Sequence, residues 1–392
     1  MPWHQADTMS ERVQFVVSAL VGQQSFSSLC RAFGISRQCG YRWLARYQVG
    51  SSFTALVDHS RAPLSSPNKT APELEARVIA LRTSHGWGAK KLRVLLLREG
   101  IDLSIATVNR ILRRNGLILR QEAHQPALGH FERPNANDLW QMDFKGRFPI
   151  LEGHCYTLSI LDDHSRFALG LYPLLSTRAG ETYACLVDLM QTYGVPKAIL
   201  MDHGTPWWNT NASDGLSWLS VQLMKQDIRL YFSGFRHPQT QGKVEALHRS
   251  IGRAFVHHGR PRTLAEANDF CTHFITEYNY IRPHEGIGMD VPTSRYQPSS
   301  QPWRSEPPEW DYPAHMQVIR LNEQGSLSYR GQRYFVAKPL ANERVAIQEL
   351  AGKLLVQYRQ KYVREVDLAT STTRAFTTPD RDGVYLDVST MY

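Results

Sequence analysis

Three acidic residues, each in a different local sequence, constrain the fold of this chain more than any other feature. Asp143 and Asp202 each interrupt or close a short apolar run typical of a β-strand, whereas Glu245 opens a helical stretch. Carboxylates so far apart in sequence can meet only where strands and a helix come together at one edge of a sheet. Oxygen ligands of this type suit Mg²⁺ or Mn²⁺, so the three residues are predicted to form one metal site.

The basic charge of the chain is concentrated near its N-terminus. The first 130 residues contain 17 Lys and Arg against 8 Asp and Glu, whereas the remainder contains 28 of each kind. An excess of positive charge attracts polyanions and makes their binding salt-dependent. Double-stranded DNA is therefore the predicted partner of the N-terminal third.

The cysteine pattern and the hydropathy exclude several classes of protein. The five cysteines are scattered and form no CxxC pair, which argues against a disulfide framework and against a zinc finger. The sequence shows no apolar run of about 18 residues and no signal peptide at its start. We therefore expect a cytoplasmic protein with no membrane partner.

Residues 1–60 have the spacing of a helix-turn-helix domain. Helical stretches at about 10–21, 25–33 and 36–47 are separated by Gly34, which can end a helix in the left-handed conformation, and Ser36, which can cap the next helix. Arg and Gln side chains on the third helix are of the type that reads base edges. The alternative is a small helical bundle with a solvated basic face. The predicted DNA contacts are Arg37, Gln38, Arg42 and Arg46.

A second helical unit is predicted at residues 72–125, after a polar, proline-rich linker at 61–71. Helices at about 72–84, 89–99 and 104–115 make it a helix-turn-helix or winged-helix candidate. The alternative is a connecting helical domain. The predicted DNA contacts in this unit are Lys90, Lys91, Arg110, Arg113 and Arg114.

Short strands replace the helical periodicity from residue 139. Their order with the intervening helices predicts a central α/β domain at 135–296 with a mixed sheet, in which the first and fourth strands must be neighbours if the carboxylates are to meet. Strands are predicted at 140–147, 156–163, 167–173, 197–201 and 229–232, and helices at 179–193, 214–226 and 264–280.

The C-terminal part returns to a β pattern. A connector at 297–314, rich in Pro and Trp, precedes about five short strands at 315–370. Strands this short and this closely spaced predict a small β-barrel. The tail at 371–392 is expected to be loosely ordered.

The acidic motifs resemble those of bacterial insertion-sequence DDE transposases with a retroviral-integrase-type core. The motifs lie at residues 140–146, 161–167, 201–204, 237–245 with His248 and Arg249, and 278–284, and the resemblance covers nearly the whole chain. It implies an RNase H-like core whose ligands Asp143, Asp202 and Glu245 bind two Mg²⁺ ions, for which Mn²⁺ can substitute. It also implies a bacterial, nucleoid-associated protein that cuts and joins DNA at transposon ends.

One departure from the family bears on the assignment of the acids. Forty-two residues separate Asp202 from Glu245, more than in the best-known members, and this makes Asp214 in the added loop a rival carboxylate. Asp162 and Asp163 are further candidates, although a turn before residue 164 is the preferred interpretation. His203 is an alternative metal ligand.

The basic residues beside Glu245 are predicted to hold a DNA phosphate. Arg249 lies one helical turn after Glu245 and therefore on the same face. Lys243 and His248 lie near the same helix start, where free backbone amides also favour a phosphate. The alternative is an ordinary solvated helix face.

The predicted function is a transposase that binds terminal inverted repeats and catalyses Mg²⁺-dependent DNA cleavage and strand transfer. Joining two DNA ends requires more than one protomer, so a homo-oligomer, a dimer or larger, is expected on transposon-end and target DNA. Two alternatives stay open: a metal-dependent nuclease that cleaves without joining, and an inactive, transposase-derived DNA-binding regulator.

Overall fold

The computed structural model of the chain describes residues 8–58, 69–118, 131–212, 215–233 and 241–376. Two units are distinguished by their internal contacts, Met1–Ala71 and Pro72–Tyr392. None of the helices in the described ranges combines the length and apolar character needed to cross a bilayer.

The first unit is the predicted helix-turn-helix. Gly34 adopts a left-handed φ of +66°, and the Ser36 hydroxyl accepts a hydrogen bond from the Cys39 amide at 3.2 Å. The predicted turn chemistry is therefore confirmed. Phe15 and Trp43 are buried between the helices, whereas Tyr41 on the third helix is exposed. The helices are α1 (Thr8–Val21), α2 (Phe26–Ala32) and α3 (Arg37–Gly50).

The second unit begins with the second predicted set of helices. Ser104 caps the third of them by accepting from the Thr107 amide at 3.1 Å. Leu92, Val108 and Ile111 form the centre of its buried apolar cluster. The helices are α4 (Pro72–His85), α5 (Ala89–Arg98) and α6 (Ile105–Arg114).

A five-stranded mixed sheet follows, in the order β3-β2-β1-β4-β5. The pairs β1–β2 and β2–β3 are antiparallel, and the pairs β1–β4 and β4–β5 are parallel. The prediction that the first and fourth strands are neighbours is confirmed. The strands are β1 (Trp140–Ile150), β2 (Gly153–Asp162), β3 (Ala168–Leu174), β4 (Ala198–Met201) and β5 (Arg229–Phe232).

Helices cover both faces of this sheet. One apolar cluster contains Met142 and Met201 together with residues of α7 and α8, and another contains Leu161 and residues of α9 and α10. Successive side chains of a strand point to opposite faces, so Asp143, which follows Met142, points to the side where α9 packs. The helices are α7 (Ala179–Tyr193), α8 (Trp218–Lys225), α9 (Gly242–His258) and α10 (Leu264–Thr276).

Two helices of the α/β domain differ by four residues at one end from their predicted bounds. The helix predicted to begin at residue 214 begins at Trp218, because the Ser217 and Ser220 side chains form a reciprocal cap there. Asp214 lies outside the described residues. The helix predicted to reach residue 280 ends at Thr276 and continues as a π-helical turn, Glu277–Ile281.

The C-terminal strands form an open antiparallel sheet and a separate hairpin, not the predicted closed barrel. The sheet order is β12-β11-β10-β9-β6, and β7 pairs only with β8 in the described part of the chain. Leu327 and Tyr334 of the hairpin share an apolar cluster with the sheet, and the buried Arg364 donates to the Val336 carbonyl. The hairpin therefore packs as a second layer instead of closing a ring. The strands are β6 (Gln317–Arg320), β7 (Ser326–Tyr329), β8 (Gln332–Phe335), β9 (Arg344–Leu350), β10 (Lys353–Tyr358), β11 (Lys361–Asp367) and β12 (Thr372–Ala375).

The last strand, β12, lies within the segment predicted to be a loose tail. Its residues pair with β11 from Arg364 to Asp367. The ordered sheet therefore extends past residue 370, and residues 377–392 lie outside the described part of the chain.

Candidate active site

The register between β1 and β4 brings the two aspartates to the same level of the sheet. Trp140 pairs with Ile199, and Gln141 pairs with Leu200. Extending this parallel register by two residues places Asp143 beside Asp202, just beyond the end of β4. Two distant sequence positions are thus brought together by backbone pairing.

Asp143 lies in a crowded, largely buried position. Its side chain is 23% exposed. Burial is the main factor that raises its pKa to about 7, and the negative charges of Asp202 and Glu245 raise it further. Like charges and desolvation both disfavour the ionised form, so the three predicted carboxylates share one electrostatic environment.

Asp202 is held in place by its own turn. Its Oδ1 atom accepts from the Gly204 amide at 2.9 Å and from Trp207 Nε1 at 2.8 Å. The Trp207 ring stacks on Phe144, the neighbour of Asp143, with ring centroids 5.4 Å apart. A Cβ atom at Gly204 would lie 2.8 Å from Asp202 Oδ1, so the tight turn needs glycine there.

Glu245 lies in the first turn of α9, where its side chain is 41% exposed. Arg249 lies one turn later with Nη1 3.9 Å from Glu245 Oε2, and its side chain is 53% exposed. The predicted shared face is therefore observed. An exposed guanidinium beside an accessible carboxylate is available to a phosphate ligand.

The carboxylates are near each other but do not converge on a point. Within the described ranges, no group of three or more His, Cys, Asp or Glu side chains lies close enough to hold a metal ion. Uncompensated anions repel, and Asp202 and Glu245 are each drawn toward a donor of their own. The donor set is three carboxylates, of which Asp202 and Glu245 help to raise the pKa of Asp143, and such oxygen ligands fit a hard divalent cation.

His248 belongs to the interior of the site. Its Nε2 atom lies 3.0 Å from Ser159 Oγ, and its Nδ1 atom lies 3.8 Å from Asp143 Oδ2. Burial lowers its pKa to about 4, with a further contribution from the charge of Lys145. The imidazole is therefore neutral at pH 7, which differs from the cationic phosphate contact expected from the sequence.

Lys243 makes protein contacts in place of the predicted DNA contact. Its Nζ atom lies 2.5 Å from Oδ1 of the fully buried Asp163. The same Asp163 oxygen accepts from Gln141 Nε2 at 2.8 Å, and the Val244 amide donates to Gln141 Oε1 at 3.3 Å. This network ties the start of α9, and hence Glu245, to strand β1.

Of the paired aspartates at the end of β2, Asp162 makes a contact within the turn, in agreement with the preferred interpretation, whereas Asp163 binds residues outside the turn. Asp162 accepts from the Asn137 amide at 2.7 Å and from the Ser165 amide at 2.8 Å. Asp163 accepts from the Arg133 amide at 2.8 Å in addition to its Lys243 pair. His203 lies against Trp208 and Phe232, with ring centroids 4.6 Å and 5.7 Å away.

On α3, three of the four predicted DNA-reading residues are exposed. Arg37, Gln38 and Arg42 are accessible on the helix surface. Arg46 instead donates to the Val57 carbonyl at 2.6 Å and lies over Trp43. Arg46 therefore holds the end of the helical unit together.

The second helical unit divides its predicted DNA contacts between two surfaces. Arg110 and Arg113 are exposed on α6. Arg114 is paired with Glu75, with Nε 3.0 Å from Oε1. Lys90 pairs with Glu285 at 3.0 Å, and burial lowers the pKa of Lys91 to about 7 with help from the charge of Arg282. Lys91 is largely buried and Lys243 is buried in its pair with Asp163, whereas Lys90 is 59% exposed and stays a predicted DNA contact.

Sequence reasoning missed three residues that organise the site, Trp207, Gln141 and Ser159. Gln141 and Ser159 occur inside the apolar runs of β1 and β2 and are fully buried. A polar residue in a buried strand needs a hydrogen-bonding partner, and this was the available signal. Trp207 gave no such signal, because an indole in a loop is equally consistent with simple packing.

Four comparisons with domain families agree with this architecture. The family described as Helix-turn-helix domain matches residues 11–63, and the family described as Homeodomain-like domain matches residues 39–112. Integrase core domain matches residues 133–238 and again residues 226–292. The two integrase matches together include all three carboxylates.

Similar proteins come from mobile elements and from viruses. A 31.7 kDa protein of insertion element IS407 from Burkholderia multivorans is 24% identical over 254 residues, which are 61% of this chain and 87% of that protein. The Pro-Pol polyprotein of simian foamy virus type 3 is 30% identical over 123 residues, 31% of this chain. This chain spans only 10% of that polyprotein.

Solved structures of viral integrases also align. The simian T-cell lymphotropic virus intasome matches with a TM-score of 0.38 and 13% identity, covering 77% of this chain and 99% of that chain. The HTLV-2 integrase catalytic core with magnesium matches with a TM-score of 0.32 and 12% identity, covering 42% of this chain and 99% of that chain.

Helix-turn-helix domains followed by an integrase-type core define a class of protein. The chain has this domain order and is similar to a protein of an insertion element and to retroviral polyproteins that include an integrase-type core.

Replacing Lys243 by Met is expected to destabilise the core. The change leaves the buried Asp163 carboxylate without its cation, which costs about 3 kcal/mol in comparable buried pairs. Denaturant unfolding followed by circular dichroism measures the change. Lys197→Met is the control, because Lys197 pairs with Asp138 at 2.7 Å while 74% exposed, and its loss should cost less than about 1 kcal/mol. Equal effects of the two variants would contradict the buried-network interpretation.

Replacing Asp143 by Asn is expected to stabilise the metal-free protein in a pH-dependent way. Folding raises the pKa of Asp143 from its ordinary value of 3.8 to about 7, so wild-type stability falls as the pH rises through this window. In the wild-type protein, ionisation of Asp143 lowers the free energy of unfolding by up to about 4 kcal/mol, fully above pH 7 and not at all below pH 4. The asparagine amide cannot ionise and therefore removes this loss.

Thermal unfolding in EDTA at pH 4 and pH 8 tests this expectation. Asp102→Asn serves as the control, because that side chain is 77% exposed. Stabilisation of the same size at both pH values would show that charge repulsion at Asp143 is not its source.

Proposed function

We propose that this protein is a DNA transposase that recognises terminal inverted repeats through its helical units and cuts and joins DNA with its integrase-type core. The observation that carries the proposal is the placement of Asp143, Asp202 and Glu245 at one edge of the mixed sheet. Strand pairing supplies the first two carboxylates and the packing of α9 supplies the third. The integrase core and helix-turn-helix domain matches support the proposal.

Asp143, Asp202 and Glu245 are the residues that would hold two Mg²⁺ ions, for which Mn²⁺ can substitute. Bound there, the ions would activate a water or a 3′-hydroxyl and stabilise the leaving oxygen of the attacked phosphodiester. The residues around the carboxylates have supporting roles. Trp207 and Gly204 fix the orientation of Asp202.

His248 and Arg249 complete the polar surroundings in different ways. His248 is neutral and contacts Ser159, so it supports the position beside Asp143 without adding positive charge. Arg249 is exposed next to Glu245, where its guanidinium can hold a phosphate of the DNA strand that reacts. Arg249 is thus a DNA-contacting residue in this proposal.

DNA recognition is assigned to two exposed helices. On α3, Arg37, Gln38 and Arg42 are accessible, and on α6, Arg110 and Arg113 are accessible. Arg and Gln form bidentate hydrogen bonds with guanine and adenine edges in the major groove. Two such helices in one chain suit a long terminal sequence, and the joining of two ends requires a dimer or larger assembly.

Glu245→Gln is expected to abolish both cleavage and strand transfer while leaving the affinity for end DNA within a few-fold. The amide keeps the shape of the side chain but removes the anionic ligand. The assay combines the purified protein, Mg²⁺, a labelled duplex with the terminal repeat and a supercoiled plasmid. Glu266→Gln is the control, since Glu266 lies in α10 and accepts from the Arg262 amide.

Each outcome of this assay separates one candidate function from the others. Joined products that vanish only in Glu245→Gln support the transposase. Cleavage without joining, despite free 3′-hydroxyl ends, favours the nuclease. Binding of end DNA without any cleavage by the wild-type protein favours a regulator.

Arg37→Ala is expected to weaken binding to the terminal repeat by about 10-fold, because a bidentate base contact contributes about 1–3 kcal/mol of discrimination. Binding to a scrambled duplex at the same salt concentration should change much less. Arg31→Ala provides the comparison, because Arg31 is exposed on α2, outside the predicted reading helix. Equal losses on both duplexes for Arg37→Ala would assign Arg37 to phosphate contact instead.

A further inference from the structure

The segment 277–285, which follows α10, contacts the second helical unit through several side chains. His85 Nδ1 lies 2.6 Å from Glu277 Oε1. Lys90 Nζ lies 3.0 Å from Glu285 Oε2, and Arg98 Nη1 donates to the Ile281 carbonyl at 3.0 Å. Helices α4 and α5 are thus both attached to one short segment of the core, which we call the seat.

Trp87 lies at the centre of this contact. Its ring stacks on His85 with centroids 4.4 Å apart and planes 23° apart, and the Arg282 guanidinium lies 5.5 Å from it. Trp87 is 7% exposed. A continuous row of side chains therefore runs from Arg282 through Trp87 and His85 to Glu277. The guanidinium lies over the indole, the indole stacks on the imidazole, and the imidazole pairs with the carboxylate.

The seat is itself anchored to the catalytic domain. Asn279 is fully buried, its Oδ1 accepting from the Ala168 amide at 2.8 Å and its Nδ2 donating to the Ala168 carbonyl at 2.9 Å. Arg282 Nη2 donates to Ser250 Oγ at 3.1 Å. The seat is therefore fastened to β3 and to α9.

Helix α9 also reaches the second helical unit directly. His257 Nε2 lies 2.7 Å from the Thr83 carbonyl oxygen, and its ring lies against Gly86, where a Cβ atom would be 2.9 Å from His257 Cγ. The same helix carries Glu245 in its first turn. One rigid helix thus links the candidate active site to the second helical unit.

Helix α6 of the second helical unit packs firmly against the helices that contact the seat. Val108, Ile111 and Leu112 of α6 are buried in the same cluster as Leu92 and Leu96 of α5. Arg110 and Arg113 remain exposed. The position of α6 relative to the three carboxylates is therefore set by packing at every step between them.

We propose that the seat fixes the distance between α6 and the carboxylates and thereby selects the phosphodiester that is cut. His85, Trp87, Glu277 and Arg282 are positioning residues in this scheme and do not contact DNA. The inference rests on the proposed function, since it concerns where the proposed transposase cuts. Terminal DNA bound by α6 would therefore lie at a constant distance from the three carboxylates.

The test is the position of cutting on a labelled terminal-repeat duplex, measured at single-nucleotide resolution with Mg²⁺. Glu277→Gln and His85→Ala should each spread the cuts over neighbouring phosphodiesters. We expect the ratio of wild-type-position cuts to displaced cuts to fall about 5-fold or more, as loss of about 1 kcal/mol of positional preference predicts. Affinity for the duplex should stay within a few-fold of wild type.

The matched control is Glu99→Gln. It breaks the ion pair between Arg77 and Glu99, 2.6 Å long, which joins α4 to the end of α5 within the helical unit. This variant should cut at the wild-type position. A charge swap provides a second control, because Glu277→Lys should displace cutting and Glu277→Lys with His85→Glu should restore it.

The outcomes distinguish this inference from the proposed function. If the wild-type protein does not cut the duplex at all, the proposed function fails. If the wild-type protein cuts at one position and Glu277→Gln and His85→Ala cut there with unchanged precision, the seat does not select the position. Loss of DNA affinity in both variants, with unchanged circular dichroism, would likewise contradict a purely positioning role.

Discussion

The parallel pairing of β1 with β4 is the constraint on which the rest of the site depends. It sets Asp143 beside Asp202 and, on the opposite face, directs Met142 and Met201 into one apolar cluster. A shift of one residue would turn every side chain of β4 to the wrong face. The hydrophobic core therefore fixes the register, and the register brings the two carboxylates together.

This arrangement has an electrostatic cost that suits a cation-binding site. Burial and neighbouring negative charge raise the pKa of Asp143 to about 7. The adjoining polar groups do not neutralise it, because His248 is held neutral and Lys243 is bound to Asp163. A buried carboxylate with a strongly raised pKa marks a candidate functional site, and a bound divalent cation would supply the missing positive charge.

Helix α9 connects the candidate active site to the second helical unit. Its start is tied to β1 through Lys243, Asp163 and Gln141, and its end touches Thr83 through His257. Glu245 is therefore held from both ends of one helix. The same scaffold that assembles the site also holds the second helical unit.

Much of the fold could be predicted from local sequence, because caps, turns and alternation are local properties. Gly34 and Ser36 act as expected, and the strand pattern correctly made the first and fourth strands neighbours. Long-range partners could not be predicted in this way. Lys243 lies near the start of a helix, and Lys91 lies on another helix. Lysines in such positions are often solvated, so the sequence gives no sign that the fold buries these two side chains.

The C-terminal unit shows the same limit of local patterns. Short alternating strands indicate a β domain, and six short strands, β6 to β11, do form within residues 315–370. Whether such strands close into a barrel depends on which edges pair, and pairing is decided by the whole apolar cluster that also includes Val221 and Met224 of α8. The prediction of a β-rich unit was therefore correct, but the prediction that its strands close into a barrel was wrong.

Anomalous X-ray diffraction from crystals of the full chain containing Mn²⁺ shows directly whether the three carboxylates bind a metal. We expect Mn²⁺ to be ligated by carboxylate oxygens of Asp143, Asp202 and Glu245, with the signal lost in Asp143→Asn crystals. Manganese bound elsewhere, or no ordered manganese at these three residues at saturating concentration, would contradict this expectation.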